Sequence, residues 1–186
     1  MSVLPAVLLS GAPASGKSTL SHLVARALRA AVIDQDVATG PLVDAVARLV
    51  GVDDLDDPRL AGLTREPRYR VVLDMAVDNL TAGMPVVVVA PFTAERFDPA
   101  AWSATRDRLA AAGGRPLLVW LRLSPAEVLR RLRERNAARD AAKLADESAY
   151  LAGLAVTCAP PVVPHLALDA TLPADVLAGA VLDAVL

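Results

Sequence analysis

The chain is poor in the residues that hold metals and form disulfides. Its 186 residues include one cysteine, Cys158, and two histidines, His22 and His165. A single cysteine excludes an intrachain disulfide and a thiolate metal cluster, and the two histidines lie far apart, without metal-ligand spacing. We therefore expect Cys158 to be a small buried hydrophobic side chain and both histidines to be structural.

The chain also has few aromatic side chains and a small net charge. Only 3% of the residues are aromatic, and the formal net charge is −2. Proteins that bind nucleic acid usually present a broad basic face or aromatic platforms on which bases stack. Neither is evident here, so we expect no nucleic-acid partner.

Long apolar runs are missing as well. No run reaches the roughly 18 residues that span a bilayer, and the first residues are typical of a strand instead of a charged region followed by a signal core. We therefore expect a cytoplasmic protein with no membrane partner. Because 54% of the 186 residues are apolar, the chain can bury one substantial core, and residues 1–186 are predicted to form a single domain.

Five short and nearly continuous apolar runs are predicted to be buried parallel strands. They are Val3–Leu9, Ala30–Ile33, Val86–Ala90, Pro116–Leu123 and Val162–Leu168. Helical patterns alternate with them, at about 18–30, 40–50, 66–82, 98–112, 124–139 and 173–186. This alternation predicts a three-layer α/β fold. The aspartate-rich segment 51–63 is predicted to be a solvated loop, with part of a substrate cover as the alternative.

The first predicted strand leads into a loop of small residues, GAPASGKST at 11–19, which we call the phosphate loop. It matches the Walker A pattern G-x-x-x-x-G-K-[ST], and an amphipathic helix follows it. Such loops point backbone N–H groups at polyphosphate, and glycines allow the close approach. Lys17 can then reach the β- and γ-phosphates, and Ser18 can ligate magnesium. The predicted nucleotide-binding residues are Gly11, Ala12, Pro13, Ala14, Ser15, Gly16, Lys17, Ser18 and Thr19.

Two carboxylates, Asp34 and Asp36, directly follow the second predicted strand. Ligands of open α/β sheets bind at this edge, and alternate spacing in an extended segment would send both side chains to the same side. One can hold magnesium, and the other can accept the proton of an attacking hydroxyl. The alternative is that they end the strand and cap the next helix. The third strand carries no aspartate at the usual Walker B position, so magnesium would depend on Ser18 and this pair.

Arginines are concentrated in the stretch LRRLRERNAARDAAK at 129–143. Arg131, Arg135 and Arg139 recur every four residues and therefore share one face of a helix. Guanidinium groups on a closing segment suit the charge of a transferring phosphoryl group. Arg135 and Arg139 are the predicted catalytic arginines, and the alternative is a solvated face paired with neighbouring acidic residues.

Three further residues are candidates for binding the phosphoryl acceptor, the molecule that would receive the phosphoryl group. Arg65 and Arg68 open the helix before the third strand and can hold an anionic or polyhydroxylated molecule, or lie on the surface. Phe92 follows the third strand and would border the pocket if that strand is central. An ordinary strand-to-helix turn explains Phe92 equally well.

Together the stretches GAPASGKST, DQD, VVVVAPFT and RERNAARD resemble the small P-loop kinases that phosphorylate metabolites. This group includes shikimate, gluconate and adenylylsulfate kinases, chloramphenicol phosphotransferase, and zeta-toxin-like and AAA-type kinases. The resemblance implies a five-stranded parallel sheet in the order 2-3-1-4-5 with helices on both faces, ATP on the phosphate loop, and an arginine-bearing lid at about 130–147. It also implies that Asp34 serves magnesium and that Asp36 faces the acceptor hydroxyl.

The sequence therefore predicts an ATP- and Mg²⁺-dependent kinase that transfers the γ-phosphoryl group to a hydroxyl of a small molecule. No motif identifies the acceptor. The alternatives are a nucleoside or nucleotide kinase, a toxin-like kinase acting on a nucleotide sugar, and a nucleotide-binding regulator without an acceptor, in which slow hydrolysis drives a lid movement. The oligomeric state and any protein partner stay open.

Overall fold

A computed structural model describes residues 3–52, 57–135 and 147–186 of the chain. Its five strands form one parallel sheet in the spatial order β2-β3-β1-β4-β5, which confirms the order that the family resemblance implied. The strands are β1 (Leu4–Gly11), β2 (Ala31–Asp34), β3 (Val86–Val89), β4 (Gly114–Arg122) and β5 (Leu166–Asp169). All five lie close to the apolar runs that predicted them.

Helices cover both faces of this sheet. The described helices are α1 (Lys17–Leu28), α2 (Gln35–Val50), α3 (Pro58–Thr81), α4 (Thr93–Phe97), α5 (Pro99–Ala111), α6 (Pro125–Arg135), α7 (Glu147–Thr157) and α8 (Ala174–Val185). Side chains alternate across β1, so Val7 belongs to a core cluster with residues of α1, α6 and α8, whereas Leu8 belongs to a cluster with residues of α3 and α5. The core therefore has two layers, as the three-layer prediction requires.

The predicted loop at 51–63 is corrected by the structure, because α3 already begins at Pro58. Proline suits the first turn of a helix, and the Asp57 carboxylate caps it by accepting a hydrogen bond of 2.7 Å from the Arg59 backbone N–H. Leu60 packs against Val43 and Ala47 of α2, so tertiary contact extends the helix beyond its visible pattern. Asp53, Asp54 and Asp56 lie outside the described residues.

The cysteine and the two histidines lie at surface or half-buried positions of this fold. Cys158 is half-buried beside the core on the α1 side, somewhat more open than expected. His22 is exposed on α1, and His165 is half-buried. None of the helices within the described ranges combines the length and apolar character that crossing a membrane requires.

Truncation of the core can be predicted from these positions. Leu8 on the central strand is 0% exposed, whereas Leu42 on α2 is 67% exposed. Leu8→Ala is expected to lower the free energy of unfolding in urea by about 2–5 kcal/mol, because it removes buried methyl groups and leaves a cavity. Leu42→Ala is the matched control and should change it by no more than about 0.5 kcal/mol. Equal effects would contradict the assignment of β1 to the centre of the sheet.

Candidate functional site

A cleft of about 1170 Å³ lies where the strands β1, β2 and β3 end. Because the strands are parallel, their carboxyl ends meet at one edge of the sheet and bring distant residues together. The phosphate loop forms one side of the cleft, and α4 and α7 form another, with Thr93, Arg96, Phe97, Tyr150, Val156 and Thr157 among the lining residues. A hydrogen bond of 2.7 Å from the Ser10 hydroxyl to the Pro91 carbonyl ties the end of β1 to the segment that enters α4.

The phosphate loop has the backbone of an anion-binding turn. Ala14 and Gly16 have φ values of 58° and 90°, and such left-handed residues are typical of the backbone turns whose N–H groups bind anions. Gly11 lies so close to β4 that an added Cβ would be 2.9 Å from the Leu121 Cβ atom. The Lys17 ammonium donates hydrogen bonds to the carbonyls of Gly11 (2.9 Å) and Ala12 (2.8 Å), at the start of the loop.

Ser18 and Asp34, the predicted magnesium ligands, are brought together by the fold. The Ser18 hydroxyl at the start of α1 lies 3.5 Å from the Asp34 carboxylate at the end of β2. The other Asp34 oxygen accepts a hydrogen bond of 2.9 Å from the Asp36 backbone N–H and thereby caps α2. Asp34 therefore caps the helix, as the structural alternative supposed, and also presents an oxygen beside Ser18.

Asp36 lines the same cleft, but for a different reason from the one predicted. The segment is not extended through Asp36, because α2 begins at Gln35 and places Asp36 in its first turn. Arg68 of α3 donates a hydrogen bond of 2.6 Å to the Asp36 carboxylate and one of 2.9 Å to the Thr39 hydroxyl. Arg68 therefore orients Asp36, whereas Arg65, one turn earlier on α3, is exposed and lines the cleft itself.

The arginines of α6 contribute to the cleft in two ways. Arg135 lines it as an exposed side chain, and Arg139 lies outside the described residues. Arg131 donates hydrogen bonds to the carbonyls of Ala14 (3.3 Å) and Ala170 (2.8 Å), so its guanidinium group joins the phosphate loop to the segment after β5.

Glu127, in the first turn of α6, is held charged by its neighbours. Hydrogen bonds from Arg130 and Arg131 lower the pKa of its carboxyl to about 2.

Phe92 does not border the cleft as expected. It adopts φ 48° between β3 and α4, is fully buried, and its ring centroid lies 6.0 Å from that of Tyr69. This turn places the Phe92 side chain in the core. Thr93 and Phe97 on the short helix α4 line the cleft instead. The sequence analysis missed α4 because five residues are too few for a helical period to be visible.

Two charged residues of α4 are buried beside this wall. Arg96 donates to the backbone carbonyls of Thr157 (3.0 Å) and Ala159, which anchors the C-terminal end of α7. Glu95 accepts a hydrogen bond of 3.3 Å from the Thr105 hydroxyl, and burial raises the pKa of its carboxyl above the usual range. Burial also lowers the pKa of Arg96.

Comparison with known proteins places the chain among P-loop proteins. The family model of the AAA domain matches residues 7–160. None of the curated proteins compared with the chain matched its sequence.

Solved structures with a similar fold include kinases. A candidate kinase from Chloroflexus aurantiacus j-10-fl aligns with a TM-score of 0.67 and 19% identity over 99% of this chain and 97% of its own. A gluconokinase from Sinorhizobium meliloti 1021 aligns with a TM-score of 0.61 and 18% identity over 100% of this chain and 93% of its own. The Mycobacterium tuberculosis APS kinase CysC, in complex with AMPPNP and APS, aligns with a TM-score of 0.60 and 23% identity over 98% of this chain and 98% of its own. At these identities the likeness shows a shared fold, and it agrees with the resemblance seen in the sequence.

The close packing of Gly11 yields a testable prediction for the phosphate loop. Gly11→Ala would place a Cβ 2.9 Å from both the Leu121 Cβ and the Ser15 Oγ, so loop and strand must separate. We expect a loss of about 1–3 kcal/mol of stability in urea and weaker binding of ATP in calorimetry. The matched control is Gly179→Ala in α8, where nothing lies within 4 Å, and a gain of about 0.5–1 kcal/mol is expected there. Unchanged ATP affinity in Gly11→Ala would refute the packing argument.

The buried carboxyl of Glu95 predicts a pH-dependent effect. Because the pKa of Glu95 is raised in the folded protein, folding favours the protonated carboxyl. The stability that this protonated form provides is lost as the pH rises through the folded pKa. Glu95→Gln should therefore unfold at higher urea concentration than the wild type at pH 8. The difference should vanish below about pH 4, where the wild-type carboxyl is protonated in both states. A difference that is constant with pH would show that the charge is not the cause.

Proposed function

The chain belongs to the AAA domain family, and from this premise we propose that it is a kinase that transfers the γ-phosphoryl group of ATP to a hydroxyl of a small molecule. The observation that carries the proposal is the arrangement of one cleft. A phosphate loop lies on one side, and Asp36, oriented by Arg68, faces the same space. A protein that only bound or slowly hydrolysed nucleotide would have no need of an oriented carboxylate on the acceptor side.

The residues present fit a nucleotide with magnesium. The phosphate loop supplies N–H donors and Lys17 for the phosphates, and Ser18 and Asp34 supply oxygen ligands of the kind that Mg²⁺ prefers. When bound there, the ion offsets the charge of the β- and γ-phosphates. The APS kinase of similar fold was solved with the nucleotide AMPPNP, which supports ATP as the nucleotide.

The transfer step requires an acceptor hydroxyl in line with the γ-phosphorus. The hydroxyl oxygen forms a bond to this phosphorus, and the bond from the phosphorus to the β–γ bridging oxygen breaks. ADP leaves with the electron pair of that bond, and the hydroxyl proton passes to the Asp36 carboxylate. Arg68 holds the carboxylate in position, and Lys17 and Arg135 stabilise the charge that spreads over the transferring oxygens.

Two solved structures of similar fold support a small acceptor by their names. The gluconokinase and the APS kinase of similar fold are both named for a small molecule. The cleft of this chain, about 1170 Å³, has room for a nucleotide and a small molecule together.

Two variants test the roles of the phosphate loop and of Asp36 separately. With ATP, Mg²⁺ and a panel of hydroxylated acceptors, Lys17→Ala is expected to weaken nucleotide binding by roughly 10- to 100-fold, because one charged donor is lost. Asp36→Asn should leave ATP affinity nearly unchanged and lower acceptor-dependent ADP formation by roughly 10²–10⁴-fold.

The matched control is Asp44→Asn, an exposed aspartate on the same helix α2, which should behave as the wild type. Wild-type rates in Asp36→Asn would end its assignment as the proton acceptor. ATP binding without stimulation by any acceptor in the panel would favour the regulator over the kinase.

A further inference from the structure

Arg96 is a buried cation in the wall of the cleft. Only 2% of its surface is exposed, yet it is one of the residues that line the cleft from α4. Helix α4 follows β3, the neighbour of the central strand β1, so Arg96 lies at the same sheet edge as the phosphate loop. The mechanism proposed above does not use it.

The contacts of Arg96 with residues 3–52, 57–135 and 147–186 include no negative charge. Its Nη2 donates to two backbone carbonyls, and its guanidinium carbon lies 4.8 Å from the ring centroid of Phe97 and 6.0 Å from that of Trp120. Within the described residues no carboxylate lies within ion-pair distance of it, and its Nε has no hydrogen-bond partner there.

Such an arrangement is costly unless something else compensates for the charge. A guanidinium has five N–H donors, and Nη2 supplies the only two for which the described residues offer an acceptor. Buried cations are normally paired, because nothing compensates for the lost hydration of an unpaired one. The adjacent carboxyl of Glu95 does not serve as the partner, since it forms no ion pair with Arg96 and accepts its hydrogen bond from Thr105.

We infer that Arg96 binds an anionic group of the phosphoryl acceptor, so that the acceptor is a hydroxyl compound carrying a carboxylate, phosphate or sulfate. This inference rests on the kinase function proposed above and adds the substrate class. Arg65, exposed in the same cleft, adds a second positive charge, and Phe97 and Val156 provide apolar surface for the carbon skeleton. The acceptor's anion thus supplies the charge partner that the described part of the chain does not give Arg96.

Matched acceptor pairs test this class on the wild-type protein without any substitution. Each pair keeps the reactive hydroxyl and differs in charge: a hydroxycarboxylic acid and its methyl ester, a polyol phosphate and the free polyol, a polyol sulfate and the free polyol. ADP formation is measured with ATP and Mg²⁺. The charged member of at least one pair is expected to have a kcat/KM roughly 10- to 100-fold above that of its neutral member. The pair that shows this ratio identifies the anion.

Variants then assign the effect to Arg96. Arg96→Gln should lower kcat/KM for the charged member more than for the neutral member and so bring the charged-to-neutral ratio near one, and Arg96→Lys should restore part of the ratio. The control Arg106→Gln, an exposed arginine of α5, should keep the wild-type ratio. ATP affinity, measured by calorimetry, reports whether each variant is folded.

The outcomes separate the two claims. Equal kcat/KM for charged and neutral members in the wild type would overturn the anionic class and leave the kinase intact. A loss of both rates by the same factor in Arg96→Gln would show that Arg96 only anchors α7. If no acceptor of either kind raises ADP formation above the basal rate, the proposed kinase function fails, and this inference fails with it.

Discussion

The contact of Gly11 with Leu121 is the constraint on which the cleft depends. With no side chain at Gly11, the end of β1 can lie against β4, and the phosphate loop then turns directly into α1 above the central strand. Both neighbours of β1 are parallel to it, so β3 ends at the same edge, where the segment leading into α4 forms the opposite wall. A bulkier residue here would shift the loop away from the rest of the site.

The cleft combines groups that different physical interactions hold in place. The phosphate loop is fixed by its backbone conformation and by a hydrogen bond from the Arg131 guanidinium group. Asp34 and Asp36 are fixed by the start of α2 and by Arg68, and α7 is held by the buried Arg96. The phosphate loop and Asp36, the proposed proton acceptor, therefore face one space, as the proposed transfer between two molecules requires.

Local patterns allowed much of this to be predicted, and long-range contacts account for the rest. The strands and the phosphate loop were predictable because continuous apolar runs and the Walker A spacing are visible within a few residues. The pairing of Asp36 with Arg68 joins residues far apart in the sequence, and the burial of Phe92 depends on a left-handed turn. Arg96 carried no signal of its own, because an arginine on a short helix is usually exposed. The parts of the site that the sequence did not predict are those that tertiary packing creates.

The central claim is that the γ-phosphoryl group of ATP passes to an acceptor hydroxyl and not to water. Phosphorus NMR of a reaction with ATP, Mg²⁺ and a mixture of anionic and neutral hydroxyl compounds tests this directly. The account predicts a new phosphate monoester resonance that grows in step with ADP and grows far more slowly with Lys17→Ala. Formation of ADP together with inorganic phosphate alone, at a rate that the mixture does not change, would contradict it.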